Sequence, residues 1–102
     1  MEVGDHMLIL VTYDVSTSSK GGPKRLRRVA KTCQNYGQRV QHSVFECKLN
    51  STQYTIMKKE ILDEIDPEKD SVRFYRLGKN YKKKVEHFGI KEAIDLEGPL
   101  LF

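Results

Sequence analysis

Asp14 is the residue whose position first invites a chemical reading. It is the only acid between Asp5 and Glu46, and it closes the run Met7-Leu-Ile-Leu-Val-Thr-Tyr-Asp14. Four aliphatic residues followed by Thr12 and Tyr13 have the character of a short β-strand. Because polar residues do not alternate along it, the run reads as a central strand covered on both faces. The chain then breaks into Val15-Ser-Thr-Ser-Ser-Lys-Gly-Gly-Pro23, a polar loop. A carboxylate therefore stands at a strand's carboxyl end, the edge of an open α/β sheet where ligands and chemistry gather. The competing reading is that Asp14 only caps its own turn through an Asx hydrogen bond.

The second chemical signal is the order of the charges. Between Val15 and Phe45 there are seven bases (Lys20, Lys24, Arg25, Arg27, Arg28, Lys31, Arg39) and no acids. From Glu46 to Asp70 seven acids face four bases, and from Ser71 to Lys91 seven bases stand against Glu86 alone. Segregation over whole elements favours a polyanionic partner, beside the plainer reading of a solvated charged face.

Other chemistries are set aside by residue type. Cys33 and Cys47 have no close-spaced partner and the histidines at 6, 42 and 87 are scattered, so no zinc motif exists. Both cysteines fall on apolar positions and read as small buried hydrophobes in a reducing cytoplasm. With 38% hydrophobic and 31% charged residues, the chain has no apolar run near the ~20 residues that span a bilayer. Its first six residues lack the apolar core of a secretory signal and read as a cloning remnant. The remaining residues, 7–102, fit a single domain, short enough that help from a partner chain is expected.

The elements that must position these residues follow in order. Pro23 in a first turn and Gly37 at a left-handed end bracket a helix over about 23–36. Leu26, Val29, Ala30 and Cys33 form its apolar stripe, which leaves the bases on flanks and surface. Basic first turns oppose the helix dipole, a conflict that nearby phosphates would remove. From Gln38 to Leu49 the chain is β-prone, but Val40 and Val44 share one parity while Phe45, Cys47 and Leu49 share the other. A break near His42-Ser43 therefore divides it. Asn50 and Gln53 form a capping box for a second helix with Tyr54, Met57, Ile61, Leu62 and Ile65 inward, ending before Pro67. Val72–Leu77 is a strand, residues 79–84 a basic loop, and Ile94-Asp-Leu96 with Leu100-Leu-Phe102 an edge strand. The order strand, helix, strand pair, helix, strand is that of a ferredoxin-like α+β sandwich, βαββαβ, with one extra C-terminal strand. RNA-recognition modules share this fold, but their glycine-and-aromatic stacking signature is absent from Arg39–Cys47.

Three stretches carry a family resemblance: Leu8-Ile-Leu-Val-Thr-Tyr-Asp14, Arg25-Leu-Arg-Arg-Val-Ala-Lys31, and Gly37-Gln-Arg-Val-Gln-His-Ser-Val-Phe-Glu-Cys47. Together they resemble the small CRISPR-associated adaptation nucleases, protein two of that system, over Met7 to Phe102. Tyr75-Arg-Leu-Gly-Lys-Asn-Tyr81 and the Ile94-Asp-Leu96 ending resemble the subtype of type I-C systems. The resemblance implies a ferredoxin-like homodimer in which residues 79–102 supply a basic loop and a last strand packed on the partner's sheet. It implies Asp14 as the catalytic residue, holding a divalent metal, Mg²⁺ or Mn²⁺, at the dimer interface. It also implies a complex with the CRISPR-associated protein one integrase. Family positions of interest fall on the helix-start bases Arg25 to Arg28, on Arg39 and on Phe45; with Tyr13, Lys24 and Lys31 they make up the candidate nucleic-acid residues Tyr13, Lys24, Arg25, Arg27, Arg28, Lys31, Arg39 and Phe45.

Two functions follow. In the first, the protein is a metal-dependent endonuclease on double-stranded DNA or single-stranded RNA, with Asp14 and its symmetry mate supplying the carboxylates that magnesium needs. In the second, it is a non-catalytic DNA-binding scaffold of spacer acquisition, gripping phosphates without reading sequence.

Overall fold

A computed structural model of the chain describes residues 6–89. The proposed remnant, apart from His6, and the proposed C-terminal strand pieces at 94–96 and 100–102 lie outside the described residues. The elements are β1 (Met7–Asp14), α1 (Gly22–Tyr36), β2 (Gln38–Gln41), β3 (Val44–Leu49), α2 (Ser51–Glu64), β4 (Ser71–Gly78) and a short 3₁₀ turn at Tyr81–Lys83. The strands form one sheet in the order β2-β3-β1-β4, with every neighbouring pair antiparallel. This is the expected ferredoxin-like order, with β1 central.

The core lies on one face of that sheet. Val11 pairs with Phe45 on one side and Phe74 on the other, so period-2 alternation puts Ile9, Val11 and Tyr13 on the same face as Phe45, Cys47 and Leu49. Those residues are buried in one cluster with Val29 and Cys33 of α1 and Tyr54, Met57 and Ile61 of α2. On the opposite face β1 is covered unevenly: Leu8 is fully buried, Leu10 and Thr12 are half-buried, and Asp14 is exposed. The expectation of cover on both faces thus holds at the start of the strand and fails at its end.

Asn50 accepts from the Gln53 amide at 2.8 Å while the Gln53 side chain accepts from the Asn50 amide at 2.9 Å, the expected capping box. The parity change between β2 and β3 is realised as a hairpin, and their register shifts between Arg39 and Gln41.

Two expectations need correction. Leu62 is 49% exposed, because eight residues beyond Tyr54 it is rotated by about 80° from the buried stripe, whereas Met57 and Ile61 stay close to it. Gly37 ends α1 in extended rather than left-handed backbone. Its requirement for glycine comes instead from close approach, since a Cβ there would collide with the Glu46 carbonyl and the Cys47 sulfur.

Candidate functional site

Asp14 lies at the last position of β1, opposite Ser71 at the first position of β4. Its side chain is exposed, on the sheet face away from the helices. The β2–β3 turn reaches the same end of the sheet, where the Ser43 carbonyl accepts from the Tyr13 amide at 3.1 Å. Arg73, paired with Thr12, sits diagonally from Asp14 on that open face, and its guanidinium donates to the Tyr75 hydroxyl at 3.0 Å. Sequence reasoning did not single out Arg73, although the alternation of β4 carried the signal once its register to β1 was known.

The Asx cap considered for Asp14 is not formed. It would accept the amide two residues on, that of Ser16, but this N–H donates to Asp70 Oδ1 at 3.0 Å. The Asp70 side chain is fully buried and also accepts from the Asp66 amide at 2.8 Å. Arg25 Nε reaches its Oδ2 at 2.8 Å, and Arg25 Nη2 reaches its Oδ1 at 3.2 Å. This forked pair, led by the hydrogen bond from Arg25, holds the Asp70 carboxyl far below the usual carboxylate range. Arg25 further donates to the Lys20 carbonyl and the Ser19 hydroxyl, and the Ser19 hydroxyl donates to the Ser16 carbonyl. The loop after Asp14 is therefore bound on several sides. Gly22 seals it, because a Cβ there would collide with the Ser16 carbonyl.

The predicted nucleic-acid residues of α1 divide into two groups. Lys24, Arg27 and Arg28 are exposed on α1, as is Lys31. Their i, i+3, i+4, i+7 spacing gathers them on one face, where they line an open groove with Thr32 and Glu64. In that groove the Thr32 hydroxyl donates to the Glu64 carboxylate at 2.7 Å. Burial pushes the Glu64 carboxyl above its ordinary range, with the Thr32 bond acting against it. Arg25, by contrast, is committed to Asp70, and that carboxylate rather than a phosphate answers its charge at the start of the helix.

Tyr13 and Phe45 do not share the surface of Asp14. Tyr13 faces the helices and is 6% exposed, while Phe45 is 0% exposed. Their rings stack with centroids 6.2 Å apart. Burial raises the Tyr13 hydroxyl pKa. Arg39 is exposed and lies 5.1 Å above the Phe45 ring, a cation–π contact. Phe45 thus supports an exposed arginine and cannot itself stack on a base. Cys33 and Cys47 are free and buried, and burial pushes both thiols up to about 12, as suits packing residues rather than nucleophiles.

As a metal site the described chain offers one carboxylate. No group of three or more His, Cys, Asp or Glu side chains that could hold a metal occurs among the described residues. Asp14, exposed and without a hydrogen bond there, fits a hard, mostly hydrated cation such as Mg²⁺, which takes one or two protein carboxylates.

These features define a ferredoxin-like α+β protein with a strand-end acid and a basic first helix. Residues 7–85 match the family model described as CRISPR associated protein Cas2, and the chain belongs to that family. The CRISPR-associated endonuclease Cas2 of Halalkalibacterium halodurans is 69% identical over 96 residues, covering 94% of this chain and 100% of the relative. The CRISPR-associated endoribonuclease Cas2 of Chlorobaculum tepidum is 58% identical over 95 residues, covering 93% and 99%. Among solved structures, Streptococcus pyogenes Cas2 superposes with a TM-score of 0.70 at 52% identity, covering 81% of this chain and 100% of that one.

Proposed function

We propose that the protein is a metal-dependent phosphodiesterase of CRISPR adaptation in which Asp14, paired with its copy across a two-fold axis, holds Mg²⁺ or Mn²⁺. The relatives from H. halodurans and C. tepidum are named endonuclease and endoribonuclease, which supports nuclease activity; in this reading the substrates are double-stranded DNA, single-stranded RNA or both. The single observation that carries the assignment is that Asp14 is exposed at the sheet edge while its natural capping partner, the Ser16 amide, is bound elsewhere. The described chain supplies one such carboxylate, so a second copy completes the pair. A bound divalent ion supplies Lewis acidity and charge neutralisation at the phosphate. Lys24, Arg27, Arg28, Lys31 and Arg39 hold the nucleic-acid backbone, and Arg25 fixes the loop beside Asp14.

The subtype of type I-C systems, the homodimer closed by residues 79–102, the complex with the protein one integrase and a cytoplasmic location belong to the same reading. The absence among the described residues of any helix able to cross a membrane is compatible with it. A second reading, a DNA-binding scaffold without catalysis, is favoured by the basic face of α1, which needs no metal to grip phosphates.

Titrating Mg²⁺ and Mn²⁺ into cleavage assays on single-stranded RNA and on duplex DNA, with native protein and Asp14→Asn, separates the two. Metal-dependent cleavage lost in the variant supports the enzyme. Binding without cleavage in both proteins supports the scaffold.

A further inference from the structure

The amide two residues beyond an aspartate at a strand end is the ordinary target of that aspartate's own carboxylate. Here the target is occupied. Ser16 N–H is 3.0 Å from Asp70 Oδ1, and the acceptor belongs to a carboxylate with no exposure. Asp70 directly precedes Ser71, the register partner of Asp14, so it enters the same end of the sheet from the adjacent strand. Arg25 fixes it by two hydrogen bonds, and the Asp66 amide fixes it by a third. The acceptor is thereby held from α1 by Arg25 and from its own segment by the Asp66 amide.

From this arrangement we infer that Asp70 is a positioning residue for the nuclease site: by capturing the Ser16 amide it keeps the Asp14 carboxylate uncapped and available to a divalent cation. The inference rests on the reading of Asp14 as the metal-holding carboxylate. Arg25 acts one step further out. Its guanidinium sets the plane of the Asp70 carboxylate and, through the Lys20 carbonyl and the Ser19 hydroxyl, closes the far end of the same loop. Without Asp70, the Ser16 amide loses its acceptor, and Asp14 is the carboxylate at the correct sequence offset to replace it. Metal binding would then have to break that new bond first. A hydrogen bond to a charged group is strong enough to raise the metal concentration for half-saturation by about tenfold.

The test uses the full chain and Mn²⁺ alone, with binding followed by electron paramagnetic resonance and Ser16 amide exchange measured without metal. Asp70→Ala should bind Mn²⁺ about tenfold more weakly, while Asp70→Asn, which keeps a carbonyl oxygen for the Ser16 amide, should lose less. In Asp70→Ala the Ser16 amide should remain protected, now by Asp14, and should exchange rapidly in Asp70→Ala/Asp14→Ala. Folded Asp70→Ala with the native Mn²⁺ midpoint overturns the proposal, as does equal Ser16 exchange in the single and double variants. Should the alanine variant not fold, the unmodified metal-free protein still decides. Its hydrogen-bond scalar coupling from the Ser16 nitrogen must reach the Asp70 carboxylate carbon, and a coupling to Asp14 instead overturns the proposal. Asp14→Asn with native Mn²⁺ binding would sink the metal reading itself. Loss of binding in Asp14→Asn beside native binding in Asp70→Ala would sink only the positioning role.

Discussion

Arg25 and Asp70, 45 residues apart in the chain, meet in a forked ion pair with Nε–Oδ2 at 2.8 Å and Nη2–Oδ1 at 3.2 Å. The carboxylate is buried and the guanidinium side chain is 15% exposed. One pair thus joins the start of β4, the first turns of α1 and the loop that follows Asp14.

The pair makes stability depend on acid. The Asp70 carboxyl is held far below its ordinary value, first by the Arg25 hydrogen bond, so the folded state binds this proton less readily than the unfolded chain. Its stabilising contribution is therefore complete above the unfolded-state value of about 3.9 and is lost progressively as pH falls below it. Asp70→Asn should be less stable than native protein at pH 7, and the difference should shrink as the pH is lowered through and below that value. Urea unfolding of both proteins at pH 7, 4 and 3 checks this, and a constant difference would contradict it.

Salt dependence should separate the two kinds of arginine on α1. If Arg27 and Arg28 each neutralise a phosphate, Arg27→Ala/Arg28→Ala should reduce the magnitude of the slope of log affinity against log salt by about 1.8 on duplex DNA. Arg25→Ala should instead lower the melting temperature while leaving that slope nearly native, because Asp70 already answers its charge. Fluorescence anisotropy from low to moderate salt is the measurement. Equal slopes in native and double-variant protein would return the helix to a solvated face.

The inward face of α2 can be tested by paired truncations. Met57 is fully buried and Leu62 is 49% exposed. Met57→Ala should cost about 2–5 kcal/mol, and Leu62→Ala should stay within about 0.5 kcal/mol of native in the isolated chain. Chemical denaturation resolves a difference of that size.

Much of the fold was legible because local signals agreed with it. The capping box at Asn50 and Gln53, the parity change near His42-Ser43 and the strand ending at Asp14 all depend on neighbours within a few residues. The error at Leu62 arose where apolar type and helical phase disagreed, and phase prevailed. At Gly37 the reason for glycine lay in β3, which a local reading of the helix end could not include. The candidate site was half legible. Asp14 and the bases of α1 could be named from type and spacing, but the commitment of Arg25 to Asp70 could not, since nothing local links residues so far apart. The burial of Phe45 beneath Arg39 was likewise set by the pairing of β3 with β1 on one side and with β2, where Arg39 is the partner of Phe45, on the other. Asp70 looked like one more member of an acidic stretch until the sheet brought it beside the loop.

Metal binding to the free protein tests the central claim most directly. Titrating Mn²⁺ into metal-free native protein and Asp14→Asn, with bound ion counted by electron paramagnetic resonance, should show one ion per two chains in the native protein. The variant should bind none in the same range while keeping the native oligomeric state, because a neutral amide lacks the charge a hard divalent cation requires. Equal Mn²⁺ binding by the two proteins would contradict the assignment of Asp14.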